Sequence, residues 1–149
     1  MALSESEYRE NAAAFKEFWK THISEILYRQ TGMFPPFPSK FTASDGTEHT
    51  LEQALDRTPR ALFYGDGGTG KTTAFRYHSY RAAADELPQV SVPLVVELFG
   101  LPPELISQPD RLPEYLSYLY GANLTLNNSF FRESLNRGDT VVILDGLDE

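Results

Sequence analysis

Apolar residues recur at three- and four-residue steps along the first fifth of the chain: Tyr8, Ala12, Phe15, Trp19, Ile23, Ile26 and Leu27. Arg9, Glu10, Lys16, Glu17 and Lys20 fall between them. That period lines the apolar side chains up on one face and predicts an amphipathic helix from about Ser4 to Gln30. Ser4 and Glu7 have the spacing of a capping box, and Thr31-Gly32 supplies the stop. An apolar stripe of this kind docks on the rest of the protein. Met33-Phe34-Pro35-Pro36-Phe37-Pro38 follows, extended because each proline restricts the residue before it, and its phenylalanines fit a strap packed onto the domain. Thr42 to Thr50, with Ser44-Asp45-Gly46, reads as a turn or loop. Leu51 to Asp56 reads as a short helix ended by Thr58-Pro59.

Beyond Arg60 the pattern alternates between strand and helix. Ala61-Leu62-Phe63-Tyr64 predicts a short buried strand, Lys71 to about Glu86 an alanine-rich helix, and Val90 to Leu98 a second strand. Pro93 has no N–H for a ladder, so that strand belongs at a sheet edge or sets its proline at an unpaired position. Leu101 to Pro109 reads as an irregular connection. Helices are expected at about Pro113 to Tyr120 and about Asn128 to Arg137, with Gly138 ending the second. Thr140 to Leu144 is an unbroken apolar, β-branched run, the mark of a strand buried on both faces of a parallel sheet.

Between the first expected strand and its helix lies Gly65-Asp66-Gly67-Gly68-Thr69-Gly70-Lys71-Thr72, which satisfies G-x-x-x-x-G-K-[ST] at every position. Glycines let the backbone curl until successive N–H groups point inward at phosphate oxygens. The start of the following helix adds unpaired N–H groups and the positive end of its dipole. In this pattern Lys71 reaches the β- and γ-phosphates, the Thr72 hydroxyl coordinates Mg2+, and Thr73 donates to the α-phosphate. The pattern is shared by kinases, GTPases, ATPases and sulfotransferases and does not choose among them.

Asp145 closes the last apolar strand, at the carboxyl edge of the sheet, where open α/β sheets bind ligands. Its expected role is to hold Mg2+ opposite Thr72. Asp148 and Glu149 follow within one turn allowed by Gly146, where a carboxylate can orient or deprotonate the water that attacks the γ-phosphate. The ending Leu144-Asp145-Gly146-Leu147-Asp148-Glu149, its approach Leu135 to Val141, and the glycine loop with its lead-in from Leu51 to Thr73 together resemble the NACHT NTPases. These are the STAND-class signalling ATPases of animal inflammasome receptors and bacterial antiphage proteins.

The resemblance runs from about Leu51 to Glu149, roughly the first half of such a domain. It implies an α/β fold: part of an ASCE-type P-loop NTPase, a three-layer αβα sandwich on a parallel sheet, preceded by the N-terminal amphipathic helix. The organisation expected is a helix over 1–31, a Pro- and Phe-rich linker over 32–50 and a truncated NTPase segment over 51–149. The function implied is an ATP- or GTP-dependent switch that self-oligomerises in the full-length protein. Lys71, Asp148 and Glu149 would be its catalytic residues, and Thr72 with Asp145 its metal ligands. The family's strand between the phosphate-loop strand and the acidic strand would lie beyond Glu149, as would its winged-helix histidine. The isolated chain is therefore expected to bind nucleotide weakly and to turn over little, and the strand from Val141 to Leu144 to lack a neighbour on one side.

Composition narrows the alternatives. The 149 residues suffice for one domain with a real core. A net charge of −8 argues against general binding to nucleic acid or anionic membrane. No cysteine is present, so thiolate metal sites are excluded. The acidic start Met1 to Glu7 is no signal peptide, and a cytoplasmic location is the default. His22, His49 and His78 have no metal spacing. Tyr115, Tyr118, Tyr120, Phe130 and Phe131 read as packing aromatics, and Arg76 and Arg81 as residues that could face a neighbouring subunit. Two other functions fit: a small-molecule P-loop kinase, and a non-enzymatic interaction fragment that uses the first helix.

Overall fold

In a computed structural model the residues described are 2–36, 40–58, 60–65, 70–87, 90, 92–121, 124 and 126–146. The first helix, α1, runs Glu5–Thr31. Ser4 caps it with the expected reciprocal box: the Glu7 amide donates to the Ser4 hydroxyl at 3.2 Å, and the Ser4 amide donates to the Glu7 carboxylate at 2.8 Å. Gly32, at φ +69°, ends it in the left-handed conformation that a side chain would strain. Tyr8, Ala12, Phe15, Trp19, Ile23 and Leu27 are all buried, so the stripe docks as its period implied.

The segment read as a turn or loop holds the expected turn, flanked by the two short strands of an antiparallel hairpin, β1 (Phe41–Thr42) with β2 (Glu48–His49). Its turn is the Asp45-Gly46 pair: the Thr47 amide donates to Asp45 Oδ1 at 3.0 Å, and Gly46 takes φ +84°. Helix α2 (Leu51–Arg57) follows with a second capping box, Thr50 with Gln53. Helix α3 (Lys71–Ala83) begins at Gly70. Strand β3 (Val92–Glu97) leads through a single turn of 3-10 helix (Leu98–Gly100) to α4 (Glu104–Ser107), a short helix inside the expected irregular connection. A second 3-10 turn (Pro109–Arg111), α5 (Leu112–Leu116) and a π-helical turn (Ser117–Gly121) come next. Helix α6 (Asn128–Arg137), capped by Asn127 and ended by Gly138 at φ +80°, delivers the chain into β4 (Thr140–Asp145).

β3 and β4 pair in parallel, from Val92 opposite Thr140 to Glu97 opposite Asp145. The molecule is thus mixed α/β, with a parallel pair packed among helices. Pro93 lies opposite Val141 and is fully buried. One core joins α1 (Tyr8, Phe15, Trp19), β3 (Val92, Leu94, Val96), α6 (Phe130, Phe131) and Ile143 of β4. Phe15 sits at its centre, edge-on to Tyr120 at 5.7 Å and to Phe131 at 6.2 Å. Trp19 donates its indole N–H to the Ser79 hydroxyl at 2.9 Å, which ties α1 to α3.

Two strand expectations need correction. Residues 61–64 form no strand: Leu62 is 72% exposed and Tyr64 90% exposed. Only Phe63 is held, by Phe41 at 4.6 Å and Phe75 at 5.5 Å. An apolar tetrapeptide becomes a strand only where a neighbour offers a ladder, and among the described residues none pairs with it. The strand buried along its apolar length is β3, from Val92 to Val96, whereas β4 hides Ile143 but leaves Val142 39% and Leu144 55% exposed. Among the described residues β4 pairs with β3 alone, and the face that carries Val142 and Leu144 is partly open. No described helix is long and apolar enough to cross a membrane.

Candidate functional site

The glycine loop enters from Phe63, which the hairpin residue Phe41 and the α3 residue Phe75 clasp in a ring cluster. It leaves at Gly70, whose φ of +88° puts the chain in the region that favours glycine at the N-cap of α3. Gly70, as the N-cap, has no side chain with which to cap this helix start. Asp66, Gly67, Gly68 and Thr69 lie outside the described residues. The residues on either side of them are linked: the Lys71 ammonium donates to the Gly65 carbonyl. Thr72 and Thr73 occupy the first turn of α3, each half-buried.

Two features fix the direction of α3. Its last residues Ala82 and Ala83 are buried, and only residues 84–91 separate them from the start of β3. In its middle, Arg76 reaches the last residue of β3, with Nη2 donating to Glu97 Oε1 at 3.2 Å. The helix therefore runs back along the parallel pair, and its start at Lys71 and Thr72 lies toward the carboxyl ends of β3 and β4. Asp145 ends β4 at that edge, half-buried and opposite Glu97 in register. Register partners in a parallel pair stand about 4.8 Å apart and project to the same face, so Glu97 and Asp145 leave the sheet edge from neighbouring positions on one face.

Asp148 and Glu149, the expected water-activating acids, lie outside the described residues. Among the described residues no group of three or more His, Asp or Glu side chains is arranged to hold a metal. A hydroxyl from Thr72 and a carboxylate from Asp145 are hard oxygen donors of the kind Mg2+ takes in ones and twos beside substrate phosphates. Both come from the same end of the sheet, and to that extent the residues present fit the ion.

Glu97 was not legible as a site residue, since in sequence it only interrupts an apolar run. The available signal was the parallel between Val95-Val96-Glu97 and Ile143-Leu144-Asp145, two apolar strands each ended by an acid. Arg76 and Arg81, read as residues that could face a neighbouring subunit, are both engaged within the chain. Arg76 has a side chain 16% exposed and turned to Glu97, while Arg81 pairs with Glu52 on α2 and with Glu86. Phe34, from the proline-rich strap, packs edge-on against Tyr80 at 4.8 Å and Tyr77 at 6.1 Å, whereas Phe37 and Pro38 lie outside the described residues. Of the packing aromatics, Phe130 and Phe131 are fully buried but Tyr118 is exposed.

A shallow cavity of about 420 Å³ opens elsewhere, between Pro102, Leu105, Arg111, Glu114 and Tyr115. It includes none of the residues expected to bind nucleotide. Its one guanidinium, Arg111, is already paired with Glu114 at 3.2 Å. Chemistry therefore singles out the loop and the strand edge rather than this hollow. No protein-family model, no curated protein and no solved structure matches the chain.

Proposed function

We propose that the chain binds a nucleoside triphosphate with Mg2+ and forms the nucleotide-holding part of a NACHT-like signalling NTPase. One observation carries the reading. A complete G-x-x-x-x-G-K-T run leads into a 13-residue helix that lies along a parallel pair, and the acid-ended edge of that pair is at the same end. In this reading the fold is part of a three-layer P-loop sandwich. The amides of the loop from Gly65 to Gly70 and of the first turn of α3 cradle the phosphates. Lys71 exchanges the Gly65 carbonyl for the β- and γ-phosphate oxygens. Thr72 and Asp145 would hold Mg2+, which supplies charge neutralisation at the phosphates. Asp148 and Glu149 are assigned to orienting the attacking water, an arrangement that favours hydrolysis over transfer to a second substrate.

The test is equilibrium binding of a fluorescent ATP analogue to the full chain, with and without Mg2+, alongside Lys71→Ala. Micromolar-range binding that falls at least about ten-fold in the variant supports the reading, a loss of the size produced by removing a charge-assisted phosphate contact. Equal binding by the two proteins, or none by the wild type, would overturn it. Phosphate release assayed without any acceptor separates hydrolase from kinase, since a kinase stays silent until an acceptor is added.

A further inference from the structure

The Arg76 guanidinium is placed at a cost that its one visible bond does not offset. Nη2 donates to Glu97 at 3.2 Å, but Glu97 is 70% exposed, and ion pairs with solvated carboxylates contribute little. Nη1 is fully buried and has no hydrogen-bond partner among the described residues. A guanidinium with one buried, idle donor is destabilising unless nearby negative charge offsets it. In register, the carboxylate next to Glu97 on the same face is Asp145. Arg76 stands on α3 five positions after Lys71 and reaches the acidic edge through Glu97.

We propose that Arg76 is an internal counter-ion for the Glu97–Asp145 edge, a positioning residue that sets how strongly that edge attracts Mg2+. Its charge opposes the metal, and Glu97 limits that opposition by holding the guanidinium on its own side. The inference rests on the nucleotide-binding reading above and adds to it a control over metal coupling.

The quantity to measure is the ratio of nucleotide affinity with Mg2+ to that without. This ratio isolates the metal from the effect of Arg76 on the phosphates themselves. Arg76→Gln is expected to raise it about three- to ten-fold, the size of effect produced by removing one unit charge near a partly exposed site. Glu97→Gln is expected to lower it, and Arg76→Lys to leave it near the wild-type value because the charge is kept. Thermal melts report folding separately. If Arg76→Gln does not fold, the exposed Glu97→Gln decides the matter alone: a lowered ratio supports the proposal and an unchanged ratio refutes it. A ratio unmoved in a folded Arg76→Gln protein refutes it as well. Absence of nucleotide binding by the wild type would instead sink the reading on which it stands.

Discussion

A histidine with both ring nitrogens buried and unbonded, as His78 is, folds as the neutral ring. Burial pushes its pKa below the usual histidine value. Glu52 on α2, 3.8 Å from Nδ1, pulls the other way, and Arg81 on its own helix adds to the depression. The unfolded chain therefore takes up a proton near pH 6.5 that the folded chain refuses. The stabilising contribution is complete above that pH and is lost as pH falls below it, toward the depressed folded value. Thermal melts from pH 7.5 to 5 should show a midpoint that declines from about pH 6.5 downward. The decline should flatten in His78→Leu, and an equally steep decline in that variant would show that the acid sensitivity lies elsewhere. Glu52 acts in a lower window. Burial alone would raise its pKa, but its own backbone amide, Arg81 and His78 together hold it below the ordinary carboxylate range. Its contribution is lost only as pH falls below that range. Nothing in sequence distinguished His78 from His22 or His49, because burial among partners from another helix is not written in local pattern.

Elements whose ends are closed by their own residues were legible, and those that depend on a partner were not. Helix α1 begins and ends within one residue of expectation because Ser4, Glu7 and Gly32 are local signals that tertiary contacts did not override. Its box should matter: Ser4→Ala is expected to cost about 1 kcal/mol, read as a lowered urea midpoint at unchanged slope. The docking of its stripe matters more. Phe15 is wholly buried among Trp19, Tyr120, Phe130 and Phe131, so Phe15→Ala should destabilise by about 3–5 kcal/mol, and a loss below 1 kcal/mol would mean that the helix is peripheral. Helix α6, with Asn127 and Gly138 at its ends, was equally readable. The strand expected at 61–64 is absent, and the two-residue strands that flank the expected turn near Asp45 were not foreseen, for one reason. A strand exists only with its ladder, and pairing is a property of two segments, not of one. The candidate site divides likewise. The loop and Asp145 are sequence patterns, whereas Glu97 and Arg76 enter only through register and helix direction.

For the molecule as a whole, the N-terminal helix is part of the central core and not an appendage. Tyr8 and Phe15 pack with Phe130 of α6, Tyr8 donates to the Ser134 hydroxyl at 3.3 Å, and Arg137 lies over the Tyr8 ring at 3.8 Å. A deletion of residues 1–31 would expose that core and could not serve as a clean test of partner binding. The weak side of the fold is the other one. β4 offers its outer backbone edge without a partner among the described residues, and beside that edge stand Val142 and Leu144, both substantially exposed. A strand edge that is apolar or β-branched and uncharged from Thr140 to Leu144 is a template for pairing with further chains. Lysine on the exposed face interrupts such pairing without touching Ile143, which faces the core. The double variant Val142→Lys with Leu144→Lys should therefore keep the wild-type melting midpoint within a few degrees. Over the same concentration range it should abolish the growth in light scattering expected of the wild type. If scattering is unchanged, or if the melting midpoint collapses, β4 is not an open edge and its outer face is covered in solution.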